Sequence, residues 1–295
     1  MTELFGFPVP LLLGQLMLGL VNGAFYAMLS LGLAVIFGLM DVVNFAHGAF
    51  FMMGAMFAWI GGQYFHIGYW PMLAIAPLLV GLIGIAIERS MLRRLRGIDP
   101  IYGLLLTFGL TLLIEGLFRS FFGVAGAPYN PPDALSSTLD LGFMYLPSYY
   151  AFAVVASLAA CLGTWLLIER TKLGAYLRAG TENPALVQAF GINFPLLTML
   201  TFGFGSALAG LAGVLAAPVI QVSPLMGSNL IIVVFAIVVI GGMGSVLGAI
   251  VTGLALGLVE GLAKVLYAPI STTVVFILMA VVLTIRPAGL FGREK

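Results

Sequence analysis

Apolar residues run along this chain in long blocks broken by short polar joints. A helix needs about 20 apolar residues to cross the hydrocarbon core of a bilayer. Nine blocks approach that length: 11–39, 45–65, 70–88, 101–122, 147–168, 196–217, 229–247, 249–266 and 270–286. The seventh and eighth merge through "IGGMGSVLGAIVTG", which predicts either a tight turn or a re-entrant break. The pattern predicts an all-α, polytopic integral membrane protein of about nine transmembrane helices, with eight as the alternative count. Residues 1–295 form a single transmembrane domain on this reading.

Composition agrees. The chain is 62% hydrophobic and 8% charged, against roughly 25% charged residues in soluble domains. A net charge of +1 creates no field that would gather nucleic acid. The lone Cys161 rules out an internal disulfide framework and fits a small apolar filler. "MTELFGFPVPLLLGQ" has no Lys or Arg before its apolar run and no small-residue cleavage site, so it does not read as a signal peptide. No polar segment is long enough to suggest a fused soluble catalytic domain.

Lys and Arg in short loops set orientation. Arg89, Arg93, Arg94 and Arg96 follow the third block, Arg170, Lys172 and Arg178 the fifth, and Arg286, Arg293 and Lys295 the ninth. These joints are expected in the cytoplasm. Residues 123–146 hold no Lys or Arg but do hold Asp133 and Asp140, so that loop is expected outside. An outer N-terminus and a cytoplasmic C-terminus fit nine crossings.

Helices in lipid associate through close backbone approach. Small residues recur every four positions at Gly19, Gly23 and Ala27; Ser206, Gly210 and Val214; Ala209 and Gly213; and Gly253, Gly257 and Gly261. These rows are read as helix-packing seams.

Polar groups inside the blocks are costly, and so are candidates for function. Glu115 and Arg119, and Glu260 and Lys264, lie four apart, so each pair can meet across a helical turn. "DVVNFAHGAF" (41–50) places Asp41, Asn44 and His47 three residues apart between long apolar blocks. One reading is a helix start, with Asn44 as cap and His47 bonded to backbone. The other is a broken helix whose freed polar groups line a passage, since irregular backbone at membrane depth survives only beside protein or a watery cavity. Asp41, Asn44, His47, Glu115 and Glu260 are therefore candidate substrate-path residues. His66 sits at an expected outer span end.

No HExxH or CxxC spacing supports a metal. No GxSxG elbow or Walker A sequence appears. The chain does not read as an enzyme. A His47/Asp41 acid–base pair would need a second catalytic cluster, and the sequence supplies none.

Residues 169–195 are the largest basic joint. Asn183 before Pro184 reads as a cap followed by the first helical residue, and Gly191 as a left-handed stop. This predicts a short helix over 184–190, with Leu186, Ala189 and Phe190 on one face. So short a helix needs something to pack on: the protein's own helix ends or a groove on a cytoplasmic partner.

The segments "LGLAVIFGLMDVVNFAHGAFFMMGA", "IERSMLRRLR", "LGAYLRAGTENPALVQAFGIN", "VIGGMGSVLGAIVTGLALGLVEGL" and "RPAGLFG" resemble the permease subunits of bacterial ABC importers for branched-chain amino acids, the LivH-like half. They span nearly the whole chain in order. The resemblance implies a permease domain with a cytoplasmic coupling loop at 169–195, in the bacterial inner membrane. It also implies a second related permease, two cytoplasmic ATPases that carry ATP and Mg, a periplasmic substrate-binding protein, and no cofactor on this chain. Arg178, Glu182, Asn183, Pro184, Leu186, Phe190 and Gly191 fall in the resembling coupling segment. Two positions depart from the family pattern: Ala49 stands where an acidic residue is common after "NFAHG", and "TEN" replaces an acidic pair. Related permeases also serve urea, amides and aromatic acids. The alternative function is a secondary transporter of small amphipathic solutes, coupled to protons or Na⁺ through Asp41, Glu115 and Glu260.

Overall fold

A computed structural model describes residues 3–4, 7–40, 43–95 and 97–292. The elements are α1 (Val9–Met40), α2 (Ala46–Phe65), α3 (Tyr69–Ser90), α4 (Pro100–Phe122), α5 (Ser148–Arg170), α6 (Lys172–Glu182), α7 (Pro184–Ala189), α8 (Phe194–Ala216), α9 (Met226–Gly241), α10 (Val246–Tyr267) and α11 (Thr273–Ile285). Two small antiparallel hairpins join Glu3–Leu4 to Phe7–Pro8 and Thr138–Asp140 to Tyr145–Pro147.

Each of the nine apolar blocks contains a helix. Among the described residues, six helices are long and apolar enough to cross a membrane: those built on α1, α3, α4, α5, α8 and α10. The apolar α9 and α11 have only 16 and 13 residues. The 20-residue α2 carries His47, Gln63 and four glycines, which lower its hydropathy. Thirteen of its residues are buried, so protein rather than lipid surrounds it. By contrast, α5 buries one narrow stripe, Tyr149, Ala153, Ser157, Cys161 and Thr164.

The seams follow the small-residue rows. A Cβ at Gly19 would fall 2.6 Å from the Gly257 carbonyl oxygen, and one at Gly253 would fall 2.6 Å from the Ala27 Cα. Gly38 in turn meets Gly244. Helices α1 and α10 therefore run antiparallel in backbone contact. Ser30 on α1 also donates across this seam toward the Ala249 carbonyl at 3.3 Å. Helices α3 and α8 pair the same way, with Gly81 against Gly203 and Gly84 against Ser206. Gly54 on α2 abuts Gly210 of α8.

The joint between α9 and α10 is a tight turn. Gly242 and Gly244 sit at φ of 99° and 81°, where a side chain would be strained. The chain after α11 returns to this turn: Leu290 N–H donates to the Ile240 carbonyl at 2.8 Å and Phe291 N–H to the Gly241 carbonyl at 3.1 Å.

Helix ends gather on two rims. One rim joins the end of α1, the α5–α6 joint, the α9–α10 turn and the 286–292 segment. On the other, Ala127 and Val222 form an antiparallel bridge, and Tyr69 donates to or accepts from Tyr149 at 2.7 Å. The Tyr149 hydroxyl lies 2.8 Å from the Leu215 carbonyl oxygen. His66 ends α2 there in the left-handed conformation, φ 53°, and is exposed. Burial pushes the Tyr129 phenol up from its usual value on this rim.

The joint 169–195 holds more helix than its sequence suggests. The 11-residue α6 contains Gly174 and Gly180, which weaken helix propensity by about 1 kcal/mol each relative to Ala and mask the element. Both are buried: Gly174 packs on the Ile168 carbonyl and Gly180 under the Phe194 ring.

Two glycine substitutions separate seam from surface. Gly257→Leu puts a side chain into the backbone of α1 at Gly23, and detergent-phase thermal unfolding should lose at least about 2 kcal/mol of stability. Gly109→Ala meets nothing within 4 Å and should leave the melt unchanged or slightly raised.

Candidate functional site

Asp41 lies outside the described residues, as do Arg96, Arg293 and Lys295. The chain resumes at Val43 and enters α2 deep in the bundle. His47 is fully buried, and its Nε2–H donates to the Leu29 carbonyl at 2.9 Å. Leu29 lies eleven residues before Met40, the end of α1, or ~16 Å along the helix at 1.5 Å per residue. The second helix thus starts inside the molecule, well away from the rim where the first one ends.

Several elements hold this start. Phe45 N–H donates to the Thr107 hydroxyl of α4 at 3.2 Å. That hydroxyl in turn reaches the Val43 carbonyl at 3.2 Å or the Leu104 carbonyl at 3.0 Å. The Phe45 ring packs on Phe108 and Phe235, with centroids 6.0 and 5.0 Å away. A Cβ on Gly48 would come 2.8 Å from the Gly227 carbonyl oxygen, so the first turns of α2 and α9 touch backbone to backbone. The imidazole of His47 lies over Gly32, where a Cβ would sit 3.0 Å from Cε1.

The capping role expected of Asn44 is not found. Phe45, in right-handed helical geometry, precedes α2, and no side chain caps it. The Asn44 backbone carbonyl accepts from His47 N–H at 3.3 Å, so the backbone makes the turn. The Asn44 side chain is 1% exposed, and neither its Oδ1 nor its Nδ2 has a partner among the described residues. His47 keeps its backbone bond as expected, but its Nδ1 has no partner among the described residues. Leaving a buried polar group unsatisfied costs about 1–3 kcal/mol.

Glu115 also differs from expectation. It accepts from the Ser228 hydroxyl in the first turn of α9, and the described residues show no ion pair to Arg119. Ser228 adjoins Gly227, which meets Gly48. Asn44, His47 and Glu115 therefore converge on the starts of α2 and α9. Thr107, Thr111 and Glu115 form a buried stripe spaced by four on α4. Sequence reasoning missed the threonines, although that spacing was visible. Ser228 carried no signal, because its partner is 113 positions away.

Glu260 belongs elsewhere. It accepts from the Tyr26 hydroxyl at 2.9 Å and pairs with Lys264 at 2.9 Å, the expected turn-spanning pair. Its charge is matched within the α1–α10 contact. Glu88, fully buried near the end of α3, was hidden in sequence by the basic joint that follows it.

On the joint itself, Asn183 Oδ1 accepts from Leu186 N–H at 3.0 Å, and Gly191 turns left-handed at φ 82°. Pro184 occupies the first turn of α7. Leu186 and Phe190 are 55% and 77% exposed, while Val187 between them is 5% exposed. Ala189 and Glu182 are also exposed. Arg178 pairs with Glu169 at 3.2 Å.

The sequence pattern of the family described as "Branched-chain amino acid transport system / permease component" matches residues 15–285. The chain is 30% identical over 302 residues to the high-affinity branched-chain amino acid transport system permease protein BraD of Pseudomonas aeruginosa, covering 96% of each chain. It is 27% identical over 298 residues to the corresponding LivH protein of Escherichia coli, again covering 96% of each. It is 28% identical to the LivM permease protein of Escherichia coli over 258 residues, 78% of this chain and 59% of that one. No solved structure matches.

Removing polar groups tests which of them the fold uses. Asn44→Leu should leave thermal stability unchanged or raise it by about 1 kcal/mol, because the amide loses no partner among the described residues. Glu260→Leu strands Lys264 and the Tyr26 hydroxyl and should cost about 3 kcal/mol in the same detergent melt.

Proposed function

This chain belongs to the permease-component family of branched-chain amino acid transport systems, and on that premise we propose how it works as an ATP-driven importer subunit. It is a transport subunit rather than an enzyme, and a multi-pass protein of the bacterial inner membrane. Its proposed cargo is a branched-chain amino acid. The proposed topology is nine crossings, with the N-terminus outside and the C-terminus in the cytoplasm. Two features support this: helix ends gather on two rims, and the segments around the ends of α3, α5 and α11 carry Arg89, Arg93, Arg94, Arg170, Lys172, Arg178 and Arg286.

The observation that carries the energy-coupling proposal is α7. Its buried Val187 anchors it, while Leu186 and Phe190 present apolar surface to water. An exposed pair of that kind fits a groove on a cytoplasmic ATPase, where ATP and Mg would bind. Arg178, Glu182 and Asn183 lie on the same protrusion. Since Gly174 and Gly180 pack α6 directly on the end of α5 and on Phe194, a displacement of α7 would pass into α5 and α8. Helix α8 touches Gly32 and Gly54, close to His47. That chain of contacts would open or close the polar start of α2 to one side of the membrane. A second permease of this family would complete the pathway, and a periplasmic binding protein would deliver cargo. Membrane lipid covers the remaining apolar surface.

An ion-coupled carrier would need a carboxylate free to exchange its counterion. Glu260 is instead held by Lys264 and Tyr26, and the family assignment carries the importer reading.

Phe190→Asp should abolish copurification of the ATPase while the membrane domain still melts as wild type; unchanged copurification would remove the docking role. Asn44→Ala with His47→Ala should lower initial uptake at least about tenfold in proteoliposomes, with subunit assembly intact. Normal uptake would confine those residues to architecture.

A further inference from the structure

A cleft opens on the rim that carries the basic joints, beneath α6. It has a volume of about 100 Å³. Val35 of α1, Ile168 of α5, Leu177 of α6 and Val246 of α10 wall it, and Gly38 and Gly244 leave its floor free of side chains. Arg178 and Glu169 stand in its lining, paired at 3.2 Å with side chains 48% and 41% exposed. The pair spans the α5–α6 joint. A lone exposed ion pair contributes little to stability, and here it lies against an aliphatic hollow.

The geometry points to a cytoplasmic regulatory site for an aliphatic zwitterionic amino acid, distinct from the transport path. The guanidinium is suited to take the α-carboxylate in a two-pronged hydrogen bond. Glu169 accepts from the α-ammonium, so the ligand's head replaces the direct Arg178–Glu169 contact with two new ones. The branched side chain enters the aliphatic hollow. Its size suits one such side chain, given that an aliphatic cavity of roughly 150 Å³ accepts benzene. Acids or amines lacking the second charge leave one member of the pair unmatched and bind poorly.

Position gives the site its effect. The cleft is bounded by the end of α1, the α5–α6 joint and the α9–α10 turn, so a ligand wedged there braces α6 against the membrane helices. A braced α6 resists the displacement that α7 receives from the ATPase. Accumulated product on the cytoplasmic side therefore slows its own uptake. Because the ligand binds one stance of α6 better than another, it shifts the population between them. The ligand's identity as product rests on the proposed cargo; the binding chemistry rests on the cleft.

The test uses the complete transporter in proteoliposomes, with ATP in the lumen and the binding protein outside. Millimolar luminal L-leucine should slow initial uptake of labelled leucine, whereas 4-methylvalerate and isoamylamine should not. Glu169→Gln and Thr181→Phe, the latter blocking the mouth, should raise the half-inhibiting luminal concentration, measured against each variant's own leucine-free rate, at least about tenfold. Calorimetric titration of L-leucine into the detergent-purified complex without binding protein should show the same tenfold loss in both variants. Equal inhibition in wild type and variants, or no leucine binding to the wild-type complex, would overturn the site. If the transporter failed to carry branched-chain amino acids, the cargo reading would fall, and the titration would still decide the cleft.

Discussion

Lipid tails solvate leucine as well as protein does, so apolar area alone cannot hold this bundle together. Close backbone approach is the constraint on which the fold depends. It is met where glycine faces glycine: α1 against α10 through Gly19, Gly23, Gly253 and Gly257, and α3 against α8 through Gly81 and Gly203. The same device lets two helices begin inside the molecule. Gly48 and Gly227 bring the starts of α2 and α9 together, and α4 and α9 pack against Val43 and Phe45 just before α2. Without those contacts, free backbone at that depth would be too costly to persist.

The buried polar groups divide by whether they are matched. Glu260 has both a hydroxyl donor and an ammonium partner, and Ser30 bonds back to α1 and toward α10. These groups serve the architecture. Asn44 is enclosed, and among the described residues its side chain and the His47 Nδ1 find no partner. A fold that tolerates such a cost concentrates it where another state or a ligand supplies the missing bonds. The α2 start fits that description, and Glu115 of α4 accepts from Ser228 on the facing helix α9.

The apolar blocks, the small-residue rows and the α7 caps were legible because each is a local pattern with a fixed period or spacing. Asn183, Pro184 and Gly191 sit where local chemistry requires them. The errors have a common cause, which is long-range contact. Asn44 reads as a cap from its neighbours alone, but the turn is closed by its backbone while Thr107, more than 60 positions away, takes the Phe45 amide. Glu115 reads as the partner of Arg119, yet it turns to Ser228. Helix α6 was hidden because Gly174 and Gly180 look like breakers until their tight packing is seen.

On the proposed reading, the polar start of α2 forms part of the transport path. Site-directed labelling tests it most directly. In a Cys161→Ser background, Asn44→Cys in the reconstituted transporter would be probed with a small membrane-impermeant thiol reagent, with and without vanadate-trapped nucleotide. On that reading the thiol is shielded in one state and modified in the other, with excess leucine slowing the reaction. A thiol that stays equally unreactive in every state, during turnover as at rest, would contradict it.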